Sequence, residues 1–222
     1  MLLRFWNILN ATLNLILPPR CFACRQTGTV LCLDCADQRE RAEPLDAPLT
    51  YARFAYHDPI IRKMIWALKY RGVKTVGERF GALLYNDLTE ELSEVSLLNG
   101  EERNFLIIPI PLSLSRARER GYNQATTIAR GFKKRGGNNF VIREDILYRI
   151  RDTVSQTTIE ERRQRLANMR GAFAVNNPAT ARGKQIIIID DVITTGGTLA
   201  DARRALEAAG AKTVLGVAVA HG

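Results

Sequence analysis

Polar residues recur at three- to four-residue spacing at the start of the chain, at Arg4, Asn7, Asn10 or Ala11, and Asn14. They leave Leu2, Phe5, Trp6, Leu9, Leu13 and Ile16 on the opposite side. That spacing predicts an amphipathic helix over Met1–Leu17, stopped by Pro18-Pro19, so residues 1–19 form a first segment. Two readings of it stand. It docks onto the protein's own body or a partner, or it lies at a membrane interface, for which Arg4 is the single basic anchor. After a Pro-containing linker at 43–48, alternating aromatics predict a strand over Tyr51–Tyr56. Helical spacing follows over Ile60–Tyr70 (Ile61, Ile65, Leu68) and again over Phe80–Leu98.

From Asn104 the pattern turns to alternating strands and helices. Phe105–Ile110 is an apolar strand, and Asn123 caps a helix with Ala125, Ile128, Ala129 and Phe132 on its buried side. Gly136-Gly137 ends that helix, and Phe140–Ile150 holds one or two short strands. Lys184–Ile189 is apolar without interruption, as a strand covered on both faces requires. A helix over Leu199–Ala209 and a strand over Thr213–Ala220 complete a βαβ unit, and a parallel sheet flanked by helices is the expected fold.

Composition changes this picture little: an apolar share of 46% excludes wholesale disorder. Charge changes it more. Between Ser113 and Arg170 there are fourteen Lys/Arg against six Asp/Glu, so one stretch holds nearly all of the chain's net charge of +9. Such a run is either a solvated face or a surface for polyanions, pyrophosphate or a nucleic-acid backbone. The N-terminal apolar stretch lacks a cleavage site and is broken by three Asn, so neither a secretory signal nor an integral membrane span is expected. A cytoplasmic location, with reduced thiols, follows.

All four cysteines fall within fifteen residues, as Cys21-x-x-Cys24 and Cys32-x-x-Cys35 with seven residues between the pairs. Each pair offers two thiolates from a tight turn, which suits tetrahedral zinc in a structural site with no open position. Buried reduced thiols, disulfides and an iron–sulfur cluster are the alternatives. The module spans residues 20–43, leaving 44–222 for the α/β domain.

The most specific segment is Ile186-Ile-Ile-Ile-Asp-Asp-Val-Ile-Thr-Thr-Gly-Gly-Thr198. A buried strand delivers Asp190 and Asp191 at its carboxyl end, where ligands bind in parallel sheets. The turn then offers hydroxyls from Thr194, Thr195 and Thr198. Gly196 and Gly197 let the backbone approach an anion, in front of a helix N-terminus. This is a cradle for one phosphate, because the chain has neither a Walker nor a dinucleotide glycine motif. Two acids beside a phosphate need another partner, and a ribose diol or a divalent cation fits. Alternation along the strand sends one acid to the ligand and the other to the loop, without saying which.

These residues closely resemble the signature of the type I phosphoribosyltransferases, which binds phosphoribosyl pyrophosphate (PRPP). The resemblance implies Mg2+ held with PRPP and a site-forming role for Asp190 and Asp191. It implies a pyrophosphate loop at 111–124 with Arg116, Arg118 and Arg120. It also implies a lid over 151–168, in which Gln156, Arg162-Arg163 and Asn168 are similar to the lid of amidophosphoribosyltransferases. The four-Cys module, Lys69-Tyr-Arg-Gly72, Pro109-Ile-Pro111 with Arg120-Gly-Tyr-Asn-Gln124, the lid and the phosphate loop occur in that order. Together they resemble the ComF family, over nearly the whole chain. That resemblance implies a role in natural competence: handling single-stranded DNA during uptake and transformation, with proteins of the uptake machinery as partners. Phe54, Tyr56, Trp66, Tyr70 and Tyr122 lie near basic residues and serve either base stacking or the core. An active phosphoribosyltransferase with an unknown amine or nucleobase acceptor is the alternative function.

Overall fold

A computed structural model describes residues 18–99, 105–150 and 171–222. The amphipathic helix expected over Met1–Leu17 and the lid expected over 151–168, with Arg162 and Arg163, lie outside these residues. The chain divides into two compact units, 1–39 and 40–222. Residues 40–42 run antiparallel beside the first strand. Ala55 N–H donates to Glu40 O (2.9 Å) and Ala42 N–H to Arg53 O (3.2 Å).

In the first unit a short helix, α1 (Leu33–Asp37), starts straight after Cys32. The second unit is built on strands β1 (Thr50–Ala55), β2 (Phe105–Pro109), β3 (Phe140–Ile142), β6 (Gln185–Ile193) and β7 (Thr213–His221). Every neighbouring pair is parallel, in the order β1-β7-β6-β2-β3. Helices α2 (Pro59–Tyr70), α3 (Lys74–Asn99), α4 (Leu114–Arg120), α5 (Gln124–Gly136), α6 (Pro178–Ala181) and α7 (Gly197–Ala208) connect them. A separate antiparallel ribbon pairs β4 (Leu147–Arg149) with β5 (Phe173–Val175). The α/β parallel sheet flanked by helices is the fold expected from the pattern.

The central strand shows why its sequence is apolar throughout: Ile186 to Ile189 are all at most 1% exposed. Ile186 and Ile188 join a core with Leu199, Ala202 and Leu206 of α7. Ile187 and Ile189 point the other way, to the side where α3 and α5 pack against the sheet. On that side glycines set the spacing. A Cβ on Gly81 would stand 2.0 Å from Ile128 O, and one on Gly131 would stand 2.0 Å from Glu78 O. Helices α3 and α5 therefore cross backbone to backbone, and both helices' glycines are part of the contact.

A charged clamp fixes β1 to α3. Asp87 is bonded by the buried Arg53 and accepts from Tyr51 O–H at 2.6 Å. Burial and the neighbouring Asp87 carboxylate push the Tyr51 phenol well above its ordinary value.

Candidate functional site

The sheet brings the carboxyl end of β6 and the segment after β2 to one edge. Asn123 holds the latter: its Nδ2 donates to Ile110 O (2.9 Å) while its Oδ1 caps α5 by accepting from Ala125 N–H (3.0 Å). Between them lies a cavity of about 230 Å³. Its charged lining, among the described residues, is Asp190 and Asp191 with Lys69, Arg116, Arg120 and Arg149. Four cations face two acids, so a polyanion meets net positive charge there.

Strand β6 runs to Ile193, two residues beyond the acids, instead of stopping at Ile189. The extension keeps the pleat, with Asp191 and Ile193 buried and Asp190 and Val192 half-buried. This alternation separates the two carboxylates. Asp191 is 4% exposed, and its Oδ1 pairs with Lys69 Nζ at 3.0 Å. Its Oδ2 is buried without a hydrogen-bond partner among the described residues. Asp190 Oδ1 accepts from Asp191 N–H (2.8 Å). Burial, then the Asp191 charge, pushes the Asp190 carboxyl up to about 7, against the pull of that N–H and of Lys69 and Arg149. The orphaned buried oxygen of Asp191, next to the Asp190 carboxyl, is a donor set that a divalent cation would satisfy.

The turn after β6 opens space. Gly196 has φ +73°, and a Cβ there would meet nothing within 4 Å. It precedes α7 with no side-chain cap, so the first N–H groups of that twelve-residue helix are not taken by a capping side chain. Thr194 and Thr198 line the cavity; Thr195, Gly196 and Gly197 lie between them in the chain but not on its wall.

The arginine segment is a helix, not an open loop. Ser113 Oγ caps α4 by accepting from Arg116 N–H (3.4 Å), and Gly121, at φ +68°, ends it. Helical spacing sends Arg116 and Arg120 to the cavity and leaves Arg118 exposed on another side. Arg120 Nε and Nη1 are buried without hydrogen-bond partners among the described residues, and its guanidinium lies 5.3 Å from the Tyr70 ring centre.

Sequence reasoning did not assign Lys69, Arg149 or Gln124 to the site. Arg149 arrives on the β4–β5 ribbon, where it stacks over Phe173 at 4.8 Å. That ribbon is tied to the phosphate-turn helix. The buried Asp201 of α7 accepts from Gly171 N–H (2.9 Å), Ala172 N–H (2.7 Å) and Phe173 N–H (3.2 Å), and pairs with Arg204 (2.7 Å).

In the first unit the four cysteine sulfurs lie within 4.8 Å of one another and could hold a metal ion. Cys21 and Cys32 Sγ are 3.9 Å apart, and Cys24 and Cys32 Sγ 3.7 Å. Tetrahedral thiolates at ~2.3 Å from a zinc ion stand roughly 3.8 Å apart. Burial opposes charge on Cys21, yet the backbone donors of Cys32, Cys24 and Ala23 bring its thiol down to about 6. Cys35, bonded by the Cys32 side chain and buried, is pushed up to about 12. The cysteines are free of disulfides.

A parallel sheet with two acids, a Thr/Gly turn and a helix N-terminus at its carboxyl edge defines a class. Residues 78–222 match the family model described as phosphoribosyl transferase domain, and the chain belongs to that family. Among curated proteins it is similar to competence protein ComFC of Bacillus subtilis (strain 168). The two are 28% identical over 82% of this chain and 68% of that one. It is similar to the DNA utilization protein YhgH of Escherichia coli O157:H7, at 26% identity over 87% of this chain and 80% of that one. Competence protein F of Haemophilus influenzae is 31% identical over 49% of this chain and 46% of its own. The resemblance to the ComF family carried by the motifs is thus shared by relatives that bear the name. No described helix is long and apolar enough to cross a membrane.

Proposed function

We propose that this chain is a ComF-type PRPP-binding protein of the cytoplasm that acts in natural competence, handling single-stranded DNA during uptake alongside proteins of the uptake machinery. The observation that carries the PRPP reading is that unsatisfied buried groups of both signs belong to residues lining one cavity, Asp191 Oδ2 and Arg120 Nε and Nη1. The 5′-phosphate would sit on the turn from Thr194 to Thr198, and the ribose diol and Mg2+ on Asp190 and Asp191. Pyrophosphate would meet Arg116 and Arg120, with Arg162 and Arg163 as further donors; Arg118, turned to another side of α4, is set aside. Mg2+ supplies charge neutralisation for the pyrophosphate when bound. The names of the relatives and the basic stretch support the DNA role.

Calorimetric titration of PRPP with Mg2+ tests the site. Wild-type protein should bind. Asp190→Asn/Asp191→Asn should lose at least a hundredfold in affinity while keeping its circular dichroism, and unchanged affinity would refute the assignment.

A second reading, an active phosphoribosyltransferase, is favoured by the match of residues 78–222 to the phosphoribosyl transferase domain. In that reading an acceptor amine or nucleobase would form the new C1–N bond as the C1–O bond to pyrophosphate breaks, and its proton would pass to solvent. Pyrophosphate release with a panel of bases and amines separates the two.

The four cysteines would hold one structural Zn2+. Metal analysis of protein purified without chelator should find about one equivalent, and less than half would sink that assignment.

A further inference from the structure

Beside the phosphate cavity lies a second, larger one of about 580 Å³ along the outer side of α2, sharing Tyr56 and Lys69 with it. Its surface is unusual in two independent ways. First, Trp66 and Tyr70 stand 48% and 54% exposed, with ring centres 5.7 Å apart and planes at 46°. Helix α2 already buries Ile61, Met64, Ile65 and Leu68, so these rings are not needed for its packing. Second, the chain from Pro59 to Gly77 holds Arg62, Lys63, Lys69, Arg71 and Lys74 and no acid. Arg71 lies 4.8 Å from the Trp66 ring centre, and Arg120 reaches Tyr70 from the phosphate site. The other aromatics noted in the sequence divide differently: Phe54 is in the core, and Tyr56 and Tyr122 are half-buried.

Exposed flat rings interleaved with cations and free of acids match one chemistry, a polyanion that carries π-faces. A duplex hides those faces in its stack, and a lone phosphate has none. We propose that the outer face of α2 is the track for single-stranded DNA, with bases stacked on Trp66 and Tyr70 and the backbone drawn by Arg62, Lys63 and Arg71. This rests on the DNA-handling reading above and adds where the strand lies. The face precedes residues 78–222, which match the phosphoribosyl transferase model, so the matched domain does not account for it. Its position also links the two ligands. Lys69, one residue before Tyr70, pairs with Asp191, and Arg120 touches both Tyr70 and the phosphate cavity.

The chain has two tryptophans, so Trp6→Phe leaves Trp66 as the sole indole reporter. In the full-length Trp6→Phe protein, an oligo(dT) single strand should quench that emission, and the same length of duplex should not. Trp66→Ala/Tyr70→Ala should weaken oligo(dT) binding about tenfold or more, the loss expected when two stacked bases lose their platforms. Trp66→Ala alone, which leaves Tyr70 against Arg120, should also weaken the strand but change the affinity for PRPP with Mg2+ by less than about threefold, because Trp66 touches no residue of the phosphate cavity. Binding with no quenching and no loss in the double variant would place the strand elsewhere and overturn the proposal. So would an emission that responds to protein concentration and not to DNA, the sign of a second copy on this face. If wild-type protein binds PRPP but no single strand even at low salt, the DNA reading fails and the phosphate site stands. If it binds the strand through Trp66 but no PRPP, the reverse holds.

Discussion

Glycine does opposite work in two regions of this fold. At the crossing of α3 and α5, Gly77, Gly81 and Gly131 close space: each missing Cβ is already occupied by an atom of the facing helix, at 2.0 to 2.1 Å from where the Cβ would be. At the carboxyl edge of the sheet, Gly196 opens space, with a left-handed backbone and nothing within 4 Å of a Cβ position. One region is satisfied and closed, while the other leaves Asp191 Oδ2 and the Arg120 donors without partners among the described residues. The difference teaches that a domain can hold unsatisfied charge at one edge because its opposite layer is packed without slack. In the proposed function a ligand is the partner that edge lacks.

The sharpest way to break the contrast is to fill the closed side. Gly131→Ala puts a methyl onto Glu78 backbone and should cost about 2–3 kcal/mol. In a domain of this size that lowers Tm by roughly 5–10 °C, with PRPP affinity nearly unchanged in the folded protein. A melt that does not move would mean the helices can slide apart freely.

The open side should answer to pH instead. Asp190, with its carboxyl at about 7 when folded against about 4 in an unfolded chain, holds its proton more tightly in the native state. Its contribution to stability is therefore full below pH 4 and is lost as pH rises through 7. The proposed cation-dependent PRPP binding would need the carboxylate and should run the other way, weakening by up to about tenfold per unit below pH 7. Calorimetry between pH 5.5 and 8.5 reads this directly, and Asp190→Asn should remove the stability trend. A flat affinity profile in wild type would show that Asp190 is ionised throughout.

The smallest effect is expected at Gly196. Gly196→Ala meets no atom, so only the left-handed backbone resists it, at about 1 kcal/mol. Urea unfolding should show that modest loss, together with weakened PRPP binding as the turn is strained. A stability loss as large as that of Gly131→Ala would erase the distinction between the two regions.

How much of this was legible in the chain depends on whether the signal was local. The βαβ unit and the phosphate turn announce themselves through an unbroken apolar run followed by acids, threonines and paired glycines, all within thirteen residues. Strand β6 overran its expected end because Val192 and Ile193 keep the pleat past the acids. Helix α4 left no apolar stripe, since none of its residues is buried and Leu114 is 71% exposed; Ser113 as its cap was the one available cue. With that helix in hand, the spacing of Arg116 and Arg120 would have set them apart from Arg118. Lys69 stood in a motif, Lys69-Tyr-Arg-Gly72, that carried the family resemblance but no role in the site. Its partner Asp191 lies on another element far along the chain, and only the packing of α2 against the sheet edge brings the two together. Gly77, Gly81 and Gly131 were silent in the chain, because what they do depends on the facing backbone.

The strand order carries a consequence for how the molecule is made. Strand β1 finds its partner in β7, with Thr50 beside Gly216 and Ala55 beside His221. During synthesis β1 emerges long before β7 exists. At ribosomal speeds the wait is on the order of ten seconds. For that time the nascent chain carries β1 with no edge to join, and β6, made shortly before β7, stands open on that side only for the last few seconds. Closure of the sheet is therefore a late, long-range event, and conditions that slow it would expose this chain to aggregation before its ligand edge has been assembled.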